Sequence, residues 1–547
     1  MIVAVGTFNL ADLFELVVDA ASDREAVVTP ERRLTFVQLD ERANRFANHL
    51  LAAGIGVGDH VGLQLLNGTE YLEAMLGCFK ARAVPINVNY RYVERELTYL
   101  FDDADLVALV YHRQFAPRVT AASSDLDALR HFVVVEDGSD ADAVPGSVGY
   151  EASLAAATPA RPALGERTGD DIYIAYTGGT TGLPKGVVWR HEDVFFAAIG
   201  GGAPMAPEYA ITRPDELAER VPEVGLIALQ TPPLMHVSAQ WGALITLFGG
   251  GTVVFPPASH FDADAIWRLV AIERVNTITI VGDATARPLT DALAAAAAAG
   301  DPYDVSSLFI VGSGGAILSP AIKARLTEIL PNVIVVDGLG SSETGVVGAG
   351  MSTAADPVGG PRFRVDDYTT VLDDDSRPVE PGSGVVGQLA RRGHLPLGYY
   401  KDEAKSKATF VVVAGVRWAL PGDMATVDAD GTVVFLGRGS ISINTGGEKV
   451  YPEEVEAVLK GHPGVDDAVV VGAPDEQWGE SVVAIVQPRK GLTPQLRDIQ
   501  ELCRKQLAHY KVPRSLHLVD EIERSPSGKP DYRWARDIAD AAVSHRP

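Results

Sequence analysis

The chain has 547 residues, of which 46% are hydrophobic and 22% charged, and its formal net charge is -25. This length exceeds one ordinary core, so we expect two or more domains, and the composition is that of a globular protein. The acidic balance argues against an extended nucleic-acid surface, although it leaves room for a small nucleotide site.

Cysteine usage and apolar runs indicate the cellular compartment. The two cysteines, Cys78 and Cys503, lie far apart, which suits a reducing cytoplasm. The first residues show no basic region followed by a cleavage site, and no apolar run approaches the length of a membrane span. We therefore expect a cytoplasmic protein without a signal peptide or a transmembrane helix.

Strands and helices alternate along most of the chain. Apolar residues at helical spacing from Leu39 to Leu51 predict a helix, "HVGLQLL" predicts a short strand, and "EYLEAMLGCFKA" predicts a second helix. Further apolar strands are expected at "AVPINV", "GTVVF", "TITIV", "SLFIVG" and "NVIVVDG". Short apolar strands between helices indicate sheets covered on both faces, which predicts an α/β fold.

The pattern changes towards the end of the chain. Turn residues from about residue 370 predict a β-rich insertion. Beyond it, a helix from Pro452 through Leu459, strands at "DDAVVVGA" and "SVVAIVQ", and a helix around "RDIQELCRKQL" indicate a compact unit. We predict a large domain over residues 1–437 and a small domain over 438–547.

A phosphate-binding loop is predicted in "YTGGTTGLPKG", residues 176–186, because glycines let backbone N–H groups approach an anion and hydroxyls add donors. The predicted contacts are Thr177, Gly178, Gly179, Thr180, Thr181, Gly182 and Lys185. Leu183 and Pro184 separate the last glycine from the lysine, which excludes a Walker A loop. We expect a helix to begin beyond Gly186; a surface turn without function is the alternative for this stretch alone.

Further motifs follow this loop at intervals along the chain. They are "PLMHVSAQW" (233–241), "GSGGAILS" (312–319), "DGLGSSETG" (337–345), "LPGDMATVDADG" (420–431), "GRGSISINTGGEKVYPEEVE" (437–456) and "SPSGKP" (525–530). Together they resemble the adenylate-forming acyl-CoA synthetases, the superfamily that includes luciferases and the adenylation domains of peptide synthetases. The resemblance implies a large N-terminal domain of stacked α/β sheets with a β-rich subdomain, plus a small mobile α+β lid domain.

Members of this superfamily run two half-reactions in one site. A carboxylate attacks the α-phosphate of ATP to give acyl-AMP and pyrophosphate, and a thiol then displaces AMP to give a thioester. The first step brings two anions together, so positive charge and oriented donors must offset their repulsion. The resemblance therefore implies an AMP-forming acid–thiol ligase that uses ATP, Mg²⁺ and coenzyme A.

The resemblance also assigns roles to individual side chains. Lys529 matches the lysine that bridges the carboxylate and the α-phosphate, and Glu343 matches the acid that holds Mg²⁺. His236 matches the pocket histidine beside the acyl carboxylate. Asp423 matches the acid that accepts hydrogen bonds from both ribose hydroxyls, and Arg438 matches its ribose and phosphate partner.

The resemblance also implies roles for glycine-rich segments, some in binding adenine and another in the passage of the pantetheine arm. The implied adenine-pocket residues are Gly314, Gly315, Ala316, Asp337, Gly338, Leu339, Gly340, Ser341 and Ser342. Asp337 would accept from the adenine amino group, and Leu339 stands where an aromatic ring usually stacks on the base. Gly446 and Gly447 would face the site after the lid rotates and leave room for the pantetheine arm.

Two other positions depart from the superfamily's pattern. Gly178 replaces the usual serine of the phosphate loop, which removes one hydroxyl donor. The hinge reads Arg438-Gly439-Ser440-Ile441 where the superfamily often has Arg-x-Asp-Asp. The interactions that set each lid position must therefore differ from those of an aspartate hinge.

The acid substrate is indicated by a narrower resemblance. "KGVVWRHEDVFFAAIGGG", residues 185–202, is similar to a subgroup of actinobacterial fatty-acid CoA ligases that includes enzymes acting on carboxylated steroid side chains. A large apolar acid needs a roomy apolar pocket, and glycines at 200–202 and 249–251 would leave space for it. The alternative is that these glycines serve turns and close packing.

Other functions stay open. The chain could be an acyl-AMP ligase that loads a carrier protein, or a catalytically inactive nucleotide-binding protein. The expected partners are small molecules, not nucleic acid, and a homodimer is left open.

Overall fold

The structure is a computed structural model that describes residues 7–177, 183–204, 206–257, 261–355, 361–445, 448–475, 478–524 and 529–543. Its helices are α1 (Leu10–Ala21), α2 (Phe36–Ala52), α3 (Thr69–Lys80), α4 (Glu94–Asp103), α5 (Ala116–Ser123), α6 (Tyr150–Ala156), α7 (His191–Ala197), α8 (Glu216–Glu219), α9 (Val237–Phe248), α10 (Ala263–Glu273), α11 (Gly282–Ala299), α12 (Pro320–Ile329), α13 (Glu403–Thr409), α14 (Pro452–Leu459), α15 (Leu496–Gln506) and α16 (Tyr532–Val543).

The strands of the large domain come first along the chain, and those of the small domain follow. They are β1 (Glu25–Val28), β2 (Arg33–Thr35), β3 (His60–Gln64), β4 (Val84–Asn87), β5 (Leu106–His112), β6 (His131–Val135), β7 (Val148–Gly149), β8 (Ile172–Thr177), β9 (Lys185–Arg190), β10 (Ile227–Gln230), β11 (Thr252–Val254), β12 (Thr277–Ile280), β13 (Ile310–Ser313), β14 (Ile334–Ser341), β15 (Gly345–Ser352), β16 (Arg362–Val365), β17 (Thr369–Leu372), β18 (Gly387–Arg391), β19 (Gly398–Tyr399), β20 (Phe410–Val413), β21 (Val416–Ala419), β22 (Asp423–Val427), β23 (Val433–Arg438), β24 (Ile443–Thr445), β25 (Glu448–Val450), β26 (Val465–Asp475), β27 (Gly479–Pro488) and β28 (Ser515–Leu518).

One sheet has the strand order β19-β9-β8-β4-β3-β5-β6-β7. The strands from β8 to β7 pair in parallel, whereas β9 pairs antiparallel with both β8 and β19. Every residue of β3 and β4 is buried, as expected of strands with helices on both faces. The apolar strands predicted from "HVGLQLL" and "AVPINV" are therefore confirmed.

A second sheet joins a parallel half to an antiparallel half. Its order is β2-β1-β11-β10-β12-β13-β14-β15-β16-β23-β22-β18-β21-β20, with β17 beside β18. Pairing is parallel from β1 to β14 and antiparallel from β14 onwards. The β-rich region predicted from about residue 370 thus continues this sheet. The change of pairing falls at the β14–β15 turn, which carries Glu343.

Helices cover these two sheets in layers. One apolar core contains residues of α1, α2, α3 and α9 together with residues from strands of both sheets, so these helices lie between the sheets. A second core joins α10, α11 and α12 to the second sheet, and a third joins α4 and α5 to the first. This stacked α/β arrangement confirms the predicted fold class. None of the helices in the described ranges combines the length and apolar character needed to cross a bilayer.

The small domain is built on a separate sheet. Its order is β25-β24-β27-β26, with β28 beside β27. One apolar core contains residues of α14 and α15, and another contains residues of α16, each with residues of β26 and β27. Because side chains alternate across a strand, Val470 and Val471 belong to different cores. The predicted α+β organisation of this domain is confirmed.

The segment after the phosphate loop differs from its prediction. A strand and not a helix follows the loop directly: β9 pairs antiparallel with β8, and Lys185 lies opposite Thr177. Val187, Val188 and Trp189 favour a strand because branched and aromatic side chains pack well on a pleated surface. The helix, α7, begins at His191. The loop therefore connects two antiparallel strands.

Candidate active site

The β14–β15 turn presents Glu343 and depends on its neighbours for its shape. The Thr344 backbone N–H donates to the Ser341 carbonyl (3.2 Å), and the Ser341 N–H donates to the Thr344 hydroxyl (3.1 Å). Gly345 has a φ of +71°, and a Cβ there would lie 2.4 Å from the Ala197 carbonyl oxygen of α7. A side chain at position 345 would therefore force the turn away from α7.

Tyr399 holds the Glu343 carboxyl group. The Tyr399 hydroxyl donates to Glu343 Oε1 at 2.7 Å. Burial, and then the negative charge of Glu343, raise the pKa of Tyr399, so the hydroxyl stays protonated and donates. This residue was missed in the sequence because it lies 56 positions from its partner. The segment Gly398-Tyr399, followed by Asp402, is the sequence feature that could have indicated it.

Lys185 is oriented by the same short segment. Its ammonium group forms an ion pair with Asp402, whose other oxygen accepts from the Lys405 N–H (2.8 Å) at the start of α13. The Lys185 ammonium, through its hydrogen bond, is the main cause that lowers the pKa of Asp402. Residues 398–402 therefore contact both the predicted magnesium ligand and the predicted phosphate lysine. The other predicted loop contacts, Gly178, Gly179, Thr180, Thr181 and Gly182, lie outside the described residues.

Asp423 and Arg438 face each other across β22 and β23. They are paired in register, and Arg438 Nε lies 3.4 Å from Asp423 Oδ1. Asp423 is only 7% exposed, and burial raises its pKa, opposed by the Arg438 guanidinium and reinforced by Glu343. A buried carboxylate with one cationic partner has acceptor positions left for the two hydroxyls of a ribose. The geometry thus suits the predicted role.

Lys529 lies with these groups although it is far along the chain. Burial and the Arg438 guanidinium lower the pKa of Lys529, and the Glu343 and Asp423 carboxylates oppose that shift. The residue as a whole is nevertheless exposed to solvent, and the region that it shares with Glu343, Asp423 and Arg438 is called the cleft below. The structure therefore brings the predicted catalytic lysine to the predicted magnesium and ribose ligands.

The predicted adenine pocket follows β13 and β14. Ser313 is in register with Asp337, and Gly314, Gly315 and Ala316 continue beyond β13. Asp337 forms an ion pair with Lys323 of α12, a partner that the sequence did not indicate. Burial raises the pKa of Asp337, opposed by Lys323.

Exposed and buried residues alternate along β14 in the predicted pocket. Gly338 and Gly340 are exposed, whereas Leu339 is 9% exposed and belongs to the core of the β-rich region. Leu339 thus replaces the usual aromatic ring with a side chain that is largely committed to that core. The Ser342 carbonyl accepts from Trp189 Nε1 of β9 (3.0 Å), in the first sheet.

His236 stands at the start of α9. It is the N-cap residue, with extended backbone, and its carbonyl accepts from the Ala239 N–H (3.0 Å). The side chain is half-buried. Its role beside the acyl carboxylate stays a prediction.

The glycines considered for pocket space are closely packed instead. A Cβ at Gly200 would lie 2.4 Å from Pro204 Cα, and one at Gly251 would lie 2.5 Å from the Leu226 carbonyl oxygen. Gly201, Gly202 and Gly250 all have positive φ angles. These segments serve turns and close packing, the alternative that the sequence left open.

The carboxylates suit one particular kind of metal binding. The described ranges contain no group of three or more His, Cys, Asp and Glu side chains that could hold a metal ion. Mg²⁺ is commonly bound through one or two carboxylates plus the phosphates of a substrate. Glu343 fits that role, as a single protein ligand to an ion carried by ATP.

Gly446 and Gly447, the predicted tunnel residues, lie outside the described residues.

Comparisons with known proteins identify the family. The model of the AMP-binding enzyme family matches residues 14–400, and that of the AMP-binding enzyme C-terminal domain matches residues 454–529. The chain belongs to the AMP-binding enzymes. Its ATP-dependent reaction class, formation of an acid–thiol bond, is the one predicted from the motifs, and AMP-binding enzymes of this class use ATP and coenzyme A.

Individual relatives match this AMP-binding enzyme over nearly its whole length. The 3-oxocholest-4-en-26-oate–CoA ligase of Rhodococcus rhodochrous is 50% identical, with coverage of 97% of this chain and 95% of the relative. A medium/long-chain-fatty-acid–CoA/3-oxocholest-4-en-26-oate–CoA ligase of Mycobacterium tuberculosis is 49% identical, with coverage of 97% and 96%. The crystal structure of an anthranilate CoA ligase with anthranoyl-AMP has a TM-score of 0.82 at 24% identity, covering 98% of both chains, and shares the fold.

We expect Tyr399→Phe to weaken Mg²⁺-ATP binding by about ten- to a hundred-fold, because a hydrogen bond to a charged group contributes about 1.5–3 kcal/mol. Equilibrium titration with Mg²⁺-ATP measures this directly. Tyr400→Phe is the matched control, since the Tyr400 hydroxyl donates to Asp105 instead (2.7 Å). Equal affinities for the two variants would contradict a positioning role for Tyr399.

Proposed function

We propose that the chain joins a large apolar carboxylic acid, a long-chain fatty acid or a steroid side-chain acid, to coenzyme A through acyl-AMP, with release of AMP and pyrophosphate. The observation that carries this proposal is that Lys529, Glu343, Asp423 and Arg438 lie close enough for their charges to interact. The names of the relatives at about 50% identity support the class of acid.

The charges in the cleft suit the first half-reaction. Lys529 would lie between the acyl carboxylate and the α-phosphate, where a cation offsets the repulsion between two anions as the new bond forms. Asp423 and Arg438 would hold the ribose, and Lys185 would contact the departing pyrophosphate. Mg²⁺, when bound with ATP, would neutralise charge on the phosphates, and Glu343 is the residue that would hold it.

The second half-reaction is proposed to require a different lid position. Residues 438–547 would rotate about Arg438, Gly439 and Ser440, carry Lys529 away, and bring Gly446 and Gly447 towards the cleft. The thiol of coenzyme A would then attack the acyl carbonyl and release AMP. Two ion pairs support the idea that the present lid position is a defined state: Arg287–Asp466 (3.6 Å) and Lys460–Asp283 (3.9 Å).

We place this activity in the cytoplasm, with small-molecule partners. Free cysteines that are both buried support a reducing compartment. A homodimer is compatible with this proposal and is not required by it.

An AMP-release assay tests the proposed function. Purified protein is given Mg²⁺-ATP, coenzyme A, and either fatty acids of graded length or steroid side-chain acids. We expect AMP release that depends on both the acid and the metal, greatest for the large apolar acids, with acyl-CoA as product. AMP release with a phosphopantetheinylated carrier protein but not with coenzyme A would favour the carrier-loading alternative. No AMP release with any acid would favour the inactive nucleotide-binding alternative.

A further inference from the structure

An acid from the lid occupies the hinge, where this chain lacks the superfamily's usual aspartate. Glu453, the second residue of α14, reaches back to the end of β23, and its Oε1 accepts from the Arg438 backbone N–H at 3.4 Å. The residue as a whole is half-buried, but its Oε2 atom is closed to solvent and has no hydrogen-bond partner among the described residues. A carboxyl group thus lies against the backbone about which the lid is proposed to turn.

The hinge backbone is shaped to accept this carboxyl group. Gly437 has a φ of +127°, and a Cβ there would lie only 2.1 Å from Glu453 Oε2. The backbone conformation favours a glycine at this position, and a side chain there would displace the carboxyl group. The contact of Glu453 with Gly437 joins α14 of the small domain to the last residue of the large domain, so it exists only while the lid has its present position.

The charged and titratable groups around Glu453 favour a neutral carboxyl group. Glu456 and Tyr451 belong to its own helix segment, Asp423 lies on β22, Arg438 at the end of β23, and Tyr532 on α16. Burial, then the negative charges of Glu456 and Asp423, raise the pKa of Glu453 to about 8, opposed by backbone N–H donors. The Arg438 guanidinium is engaged by Asp423, as described above.

We propose that Glu453 is a positioning residue that holds the lid in the adenylation position while its carboxyl group is neutral and favours release of the lid when the group ionises. This inference rests on the proposed two-step function. The rotation would carry α14 away from Gly437 and expose the carboxyl group to water. Each catalytic cycle would then release a proton from Glu453 when the lid leaves and take one up when it returns.

The direction of the pH effect follows from the two protonation states. With the lid in place the pKa of Glu453 is raised from 4.5 to about 8, so this lid position binds the proton more tightly than the rotated one. The stabilisation that neutral Glu453 gives to this lid position is complete below a pH of about 4.5 and is lost as the pH rises to about 8. Within that window each pH unit shifts the ratio of the two lid positions by up to about ten-fold. Above it, the ratio no longer depends on this group.

The test measures the two half-reactions separately between about pH 6 and pH 8. Adenylation is followed by ATP–pyrophosphate exchange, and thioester formation by the conversion of supplied acyl-AMP with coenzyme A. The variants are Glu453→Gln, which keeps the neutral shape, and Glu501→Gln, a control at an exposed glutamate on α15. The measured quantity is the ratio of the rate of thioester formation to that of adenylation. Over this pH range, we expect this ratio to increase by a factor at least about three times larger in the wild type and Glu501→Gln than in Glu453→Gln.

A second variant and a conformational measurement keep the proposal testable if Glu453→Gln folds poorly. Gly437→Ala would push the carboxyl group away, so it should slow adenylation more than thioester formation. Hydrogen exchange at the amide of Arg438, compared at a single pH of about 8, should be slower in Glu453→Gln than in the wild type, because the neutral side chain keeps the lid in place.

Two results would overturn the inference. One is an unchanged pH slope in Glu453→Gln, and the other is a proportional loss of both half-reactions in Gly437→Ala. Absence of both half-reactions in the wild type would instead contradict the proposed function itself, which separates the two failures.

Discussion

Lys529→Ala is expected to lower the rate of ATP–pyrophosphate exchange by about a hundred- to a thousand-fold, the range found when one transition-state-stabilising group is removed. The reason is electrostatic: the acyl carboxylate and the α-phosphate would meet without a cation between them. Conversion of supplied acyl-AMP to acyl-CoA should remain within a few-fold of wild type, since that step is proposed to use a lid position in which Lys529 has left the cleft.

Lys505→Ala is the matched control for this prediction. Lys505 is an exposed lysine on α15 of the same domain, and its replacement removes the same charge from the lid. Its rates in both half-reactions should be those of the wild type. Pyrophosphate exchange that survives in Lys529→Ala, or equal loss of the two half-reactions, would show that the role assigned to Lys529 is wrong.

The fold was predictable where local pattern determines it. The helix α14 begins at Pro452 and ends at Leu459, as predicted, because a proline at its first position and apolar Val455 and Leu459 on one face specify it locally. The antiparallel pairing of β8 with β9 was not predicted, since glycine-rich segments precede helices and strands alike. There the antiparallel pairing with β19, more than 200 residues away, is a tertiary contact that no local window contains.

In the site, too, residues that belong to motifs were predicted, whereas residues that act through a tertiary contact were not. Lys529, Glu343, Asp423 and Arg438 were found from motifs that carry them, and the structure brings them together. Tyr399, Lys323 and Glu453 were missed because each matters through one tertiary partner that no motif indicates, 56, 14 and 15 positions away. Asp402, which lies 217 positions from Lys185, was missed for the same reason. Residues of this kind become visible only when the fold has placed their partners.

The hinge illustrates how a lost motif can be replaced in three dimensions. Residues 438–441 contain no acid, yet the structure supplies one from α14, and Gly437 leaves the space for it. An aspartate within the hinge would move with the turning backbone, whereas Glu453 belongs to the lid and leaves with it. With Glu453 the acid is buried only in the present lid position. The stability of that lid position therefore depends on pH.

Glu343→Gln is the second variant for which we expect a large effect. Adenylation should fall by about a hundred- to a thousand-fold, because a carboxylate that would hold Mg²⁺ on the phosphates becomes a neutral amide. The β14–β15 turn should survive, since the amide oxygen can still accept from the Tyr399 hydroxyl that now contacts Glu343 Oε1 at 2.7 Å. Loss of the Glu343 charge should also lower the pKa of Asp423, because that charge now raises it.

Three measurements separate a metal role from a structural one. The concentration of Mg²⁺ that gives half-maximal pyrophosphate exchange should rise in Glu343→Gln, Mg²⁺-ATP binding by equilibrium titration should weaken, and the melting temperature should stay within a few degrees of wild type. Glu403→Gln, at an exposed glutamate that starts α13, is the matched control. An unchanged Mg²⁺ requirement alongside slow adenylation would assign Glu343 to shaping the turn, and the metal site would then have to be sought elsewhere in the cleft.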